Sequence, residues 1–170
     1  MQEAVSHYRT LATADPDGFL PDLALCLNNL SVRLAEVERT EESLGPIEAS
    51  VAIRRALAET NRRAFLPDLA TSLNNLSVRL VELGRRDEAL GPILEAVHYH
   101  RALTRESQEA FLPDLALSLS NLSEILTELG RREEAKAVAQ EAASLGRPDD
   151  RGSDVRGLAG TQASGSGPAE

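Results

Sequence analysis

The chain reads as an all-α protein, a solenoid of about three and a half helix-turn-helix repeats, and three observations predict this. The block FLPDLALCLNNLSVRL from Phe19 returns as FLPDLATSLNNLSVRL from Phe65 and as FLPDLALSLSNLSEIL from Phe111, each time 46 residues on. The first two copies agree at 14 of 16 positions and the last two at 12 of 16, far beyond coincidence, so the chain is an array. Aromatic residues make up only 3% of a chain that is 42% apolar. The core is therefore built from Leu, Ala, Val and Ile, which suits close helix packing better than stacked sheets.

The elements follow in order. Residues 1–14 align with the segment that begins at Glu95: EAVSHYRTL matches EAVHYHRAL. They read as the second helix of a unit whose first helix is absent. Three helix pairs follow, over residues 21–60, 67–106 and 113–146. Each first helix is expected to open at Pro21, Pro67 or Pro113, because proline suits a first turn whose N–H groups have no partner. Asp22, Asp68 or Asp114 then sits at the positive end of the helix dipole. Leu23, Leu27, Leu30 and Leu34 recur at a 4, 3, 4 spacing and make one face.

Gly84 and Gly130 end the first helices of units two and three, since glycine takes the left-handed cap cheaply. Glu38 holds that place in unit one, where a less well-defined turn is expected. The second helices open with acids at Glu41 and Glu42, Asp87 and Glu88, and Glu133 and Glu134. Gly45–Pro46 and Gly91–Pro92 are expected to delay or kink two of them. Residues 147–170, rich in Gly, Ser, Asp and Pro, read as a disordered tail.

The spacing resembles the tetratricopeptide repeat over residues 1–146. That family places large, large, small and large side chains where the first helices here carry Leu27, Leu30, Ser31 and Leu34; Leu73, Leu76, Ser77 and Leu80; and Leu119, Leu122, Ser123 and Leu126. Its small second-helix residues match Ser43, Ala89 and Ala135, and again Ser50, Ala96 and Ala142. A small residue lets two backbones approach while a leucine fills the space beside it. The usual closing proline is replaced by Arg55 and Arg101, and the long unit with its L-N-N-L-S block looks like the kinesin-light-chain branch and like bacterial repeat arrays.

The resemblance implies a right-handed superhelix whose first helices line a concave groove that binds a peptide or protein. By the same alignment Asn28, Asn29, Asn74, Asn75 and Asn121 are candidate peptide contacts, since an amide both donates and accepts. The alternative is that these amides bridge neighbouring helices. Leu25, Thr71, Leu117, Val32, Val78, Glu36, Glu82 and Glu128 are also expected in the groove. The glutamates suggest a basic partner, or simply a solvated acidic face.

Other classes find little support. A net charge of −9 argues against nucleic acid and anionic membranes. Of 18 basic residues only Lys136 is lysine, which reads as the coding bias of a GC-rich bacterial genome. One cysteine, Cys26, fits a reducing cytoplasm, and no signal peptide or membrane-length apolar run is present. His98 and His100 lie two apart and cannot share a metal across a helix. Neither a cofactor nor an enzymatic activity is expected, since no phosphate loop or nucleophile–base arrangement occurs. Two further roles are open: a homodimer through Val5, Tyr8 and Leu11, expected to form an uncovered patch, and the sensor part of a larger bacterial signalling ATPase or protease.

Overall fold

A computed structural model describes residues 2–145, and the segment read as a tail lies outside them. Seven α-helices run in order: α1 (Gln2–Ala14), α2 (Pro16–Glu36), α3 (Thr40–Thr60), α4 (Arg62–Glu82), α5 (Arg86–Glu106), α6 (Gln108–Glu128) and α7 (Arg132–Leu145). Helix α1 stands alone; α2–α3, α4–α5 and α6–α7 are the three pairs.

The first helices begin five residues before the prolines expected to open them. Asp15 and Asn61 cap α2 and α4 by accepting from the backbone N–H of Gly18 and Ala64, both at 3.1 Å. Pro21, Pro67 and Pro113 lie inside their helices, and each removes one backbone hydrogen bond. Burial outweighs that loss. The extra turn turns the Phe–Leu pair before each proline towards the core, where Leu66 is buried and Phe19, Leu20 and Phe111 pack against buried leucines. Pro46 and Pro92 likewise lie within α3 and α5, which start at Thr40 and Arg86, so neither start is delayed.

The turns inside the units are built alike. Glu38, Gly84 and Gly130 all take positive φ, at 60°, 74° and 77°. In each turn the residue after them donates to a carbonyl five residues back: Arg39 to Leu34 at 2.9 Å, and Arg85 to Leu80 and Arg131 to Leu126 at 2.8 Å. The turn expected to be looser thus has the same double-bonded helix end as the others, and a glutamate carries the left-handed conformation that glycine carries elsewhere.

Each helix packs on its chain neighbours, and α4 also touches α2 on one side and α6 on the other. Among the described residues the backbones of α1, α3, α5 and α7 do not approach one another in this way. The first helices are thus the closer-spaced inner layer and the second helices the splayed outer one, which is what bends the stack. The small residues sit where layers meet: Ser43, Ala89, Ser50 and Ala96 are fully buried, and Ala135 nearly so. The core runs in two stretches, one from Val5 through Leu23, Leu27 and Leu34, the other from Val51 through Leu73, Ile93, Leu119 and Ala135.

Val5, Tyr8 and Leu11 do not form the uncovered patch expected of them. Val5 is buried on α2 and the other two are half-buried, because a lone helix still has the face of α2 to pack on.

Candidate functional site

The inner layer is held together by side-chain hydrogen bonds that repeat with the sequence. On α2 the carbonyl oxygen of Asn28 accepts from the Ser72 hydroxyl at 3.2 Å and from Asn75 Nδ2 at 3.1 Å. On α4 the carbonyl oxygen of Asn74 accepts from Ser118 at 3.2 Å and from Asn121 Nδ2 at 3.0 Å. Asn28 and Asn74 are only 8% and 6% exposed. Of the candidate amides, these two spend their side-chain oxygens on the next unit. Asn75 and Asn121 are half-buried and have already donated one hydrogen bond each. Asn29 is exposed and does not join the next unit.

Each serine in this chain is itself held from behind by the second helix of the preceding unit. Arg54 Nη1 on α3 donates to Ser72 Oγ at 2.6 Å and to the Asp68 carbonyl at 2.8 Å. The equivalent residue on α5 is His100, whose Nδ1 lies 2.9 Å from Ser118 Oγ. With the single hydrogen of Ser118 directed to Asn74, His100 donates from Nδ1, and its Nε2 is left as a buried acceptor with no partner. Burial pulls the basicity of both groups down, with Asp68 opposing this for Arg54 and Asp114 for His100.

Sequence reasoning missed Arg54, Ser72, His100 and Ser118. The available signal was a polar residue recurring at a 46-residue interval within an otherwise apolar stripe.

Beside the amides runs the exposed stripe of the inner layer. Leu25 is 48% and Leu117 is 55% exposed, unusual for leucines on packed helices, and Thr71 between them is also exposed. Val32 and Val78 are half-buried along the same line. Glu36, Glu82 and Glu128 are exposed, but each is already paired: Glu36 with Arg33 at 2.8 Å, Glu82 with Arg79 at 3.0 Å, and Glu128 with Arg86. The acidic ladder is thereby largely balanced within the chain, so it selects for a basic partner less than the bare sequence suggested.

The outer layer carries its own cross-unit pairs. Arg55 grips Glu95 through two bonds of 2.7 and 2.9 Å, and Arg101 grips Glu141 through bonds of 3.2 and 2.7 Å. Tyr99 donates to Glu95 at 2.8 Å and lies under the Arg62 guanidinium. Among the described residues no group of three or more His, Cys, Asp or Glu could hold a metal, and no helix is long and apolar enough to cross a membrane.

The tetratricopeptide repeat profile matches residues 23–61, 69–104 and 115–147. No curated protein sequence matches the chain. Among solved structures the fold is similar to the crystal structure of BtubC (BKLC) from P. vanneervenii, with a TM-score of 0.63 at 19% identity. That match covers 99% of this chain and 63% of the other, so the chain spans somewhat under two thirds of its structural relative. With the profile matched in all three helix pairs, the chain belongs to the tetratricopeptide repeat family.

Proposed function

We propose that the chain is a protein-interaction scaffold that holds a peptide or protein segment along the exposed stripe of α2, α4 and α6. The observation that carries this reading is the exposure of Leu25 and Leu117, equivalent residues on the two flanking helices of the inner layer. Solvated leucines on a surface otherwise held by internal hydrogen bonds and ion pairs are available to apolar side chains of a partner. Asn29 lies one turn from Leu25 and can serve a partner backbone, and Val32 continues the apolar line. Since the three glutamates are paired internally, the partner is bound chiefly by apolar contact with backbone hydrogen bonds at the amides.

Site-specific photo-crosslinking in the source cell tests the proposal. A crosslinking amino acid at Asn29 or Leu117 should trap a discrete partner, and one at Leu94 should not. Leu94 is 49% exposed but lies on the outer layer. Trapping from Leu94 and not from the inner layer would overturn the proposal.

A further inference from the structure

His100 and Arg54 occupy the same place in successive units and do the same work with different chemistry. Arg54 reaches across from α3 to α4, and His100 from α5 to α6. Each donates to the serine that in turn donates to, and so holds, the asparagine of the preceding unit. Arg54 is cationic at any ordinary pH and has Asp68 at 3.9 Å beside it. His100 is 2% exposed, donates from Nδ1 when neutral, and turns Nε2 towards a place with no hydrogen-bond partner.

We propose that the α5–α6 contact is a pH-sensitive joint: protonation of His100 places a cation and an unpaired N–H inside it and loosens α6 and α7, while the α3–α4 contact at Arg54 does not respond.

The surroundings offer the cation little. From α6 the acidic group that acts on His100 is Asp114, which only partly opposes the effect of burial. From α4, Arg62 lies over Tyr99, Asp68 faces Arg54, Arg79 is paired with Glu82, and Arg63 lines a shallow surface recess with Leu103 and Glu106. On α5 itself Glu95 is held by Arg55 and Tyr99, and Arg101 by Glu141 of α7. His7 and His98 are exposed and lie outside this contact.

The direction follows from linkage. Burial holds His100 below its ordinary value of 6.5. Above that value neither folded nor unfolded chain carries the proton. Below it the unfolded chain takes up a proton that the folded chain refuses, so stability is present at neutral pH and falls as pH drops. Between pH 7.5 and 5.5 carboxylates stay ionised, which separates this effect from the loss of surface ion pairs. Loosening α6 shifts it against α4, and so changes the inner layer at the end that carries Leu117.

Amide hydrogen exchange on the full chain at pH 7.5 and 5.5, corrected for intrinsic rates, tests the joint. Protection in α6 and α7 should fall by an amount approaching tenfold, the most that one proton can produce across one pH unit. Protection in α2 and α3 should stay level. His100→Arg, which copies the Arg54 arrangement, should abolish the difference. If that variant does not fold at pH 7.5, His100→Gln, a neutral donor, takes its place with the same expectation. Equal protection at both pH values in α6 and α7, an equal fall in α2 and α3, or a fall that persists in the folded variant would each overturn the proposal.

Discussion

The side-chain nitrogen of Asn75 donates to the side-chain oxygen of Asn28 across 3.1 Å, and Asn121 repeats the bond to Asn74 at 3.0 Å one unit later. Leucine contacts between first helices tolerate sliding by a turn, because one apolar face resembles the next. A buried amide oxygen that needs two donors in fixed places does not, so these bonds set the register in which one unit stacks on another.

Removing the middle of this chain should be felt. Ser118→Ala leaves the N–H of His100 without an acceptor and takes one of the two donors from Asn74. At pH 7.5, urea unfolding should show a loss of about 1–3 kcal/mol. Ser120→Ala, an exposed change two residues on, should stay within about 0.5 kcal/mol.

Small residues at the layer contacts should resist enlargement. Ala89 is 0% exposed where α5 meets its neighbours. Ala89→Leu has no room to expand and should destabilise by about 1–3 kcal/mol. The denaturation midpoint reports this directly.

The turn of unit one should accept improvement. Glu38 holds a φ of 60° at a place where units two and three use glycine. Glu38→Gly removes the strain of a left-handed residue with a Cβ and should raise stability by about 1 kcal/mol. Its greater freedom when unfolded takes back part of the gain, so a thermal melt should rise by a few degrees at most.

Much of the architecture was legible because the 46-residue period and the leucine spacing are properties of single positions. The division of labour at the site was not. Asn28 and Asn29 are adjacent and identical in type, and a repeat alignment gives each its own column of polar residues without saying which of them turns to the next unit. Only the arrival of Ser72 and Asn75 from the next unit decides that Asn28 is the strut, while Asn29 stays exposed and accepts only from Asn28 at 3.5 Å. The helix starts were misjudged for a related reason. The proline rule is local, whereas the burial of Leu66 and the packing of Phe19 and Phe111 that extend the helices are tertiary. His100 was legible only as a residue that cannot share a metal with His98, because its partner Ser118 comes from the next helix. The counterpart of His100 in the lone first helix is Tyr8, which is half-buried, and the residue aligned with Ser118 in α2 is Cys26, not serine.

The neighbours Asn28 and Asn29 test most directly the claim that the units are locked by inward amides while the outward stripe is left for a partner. Unfolding free energies of Asn28→Ala and Asn29→Ala, measured side by side in urea at pH 7.5, give the answer. The account predicts a loss of about 1–3 kcal/mol for Asn28→Ala, which strands the Ser72 and Asn75 donors, and a change within about 0.5 kcal/mol for Asn29→Ala. Equal losses, or a larger loss for Asn29→Ala, would contradict it.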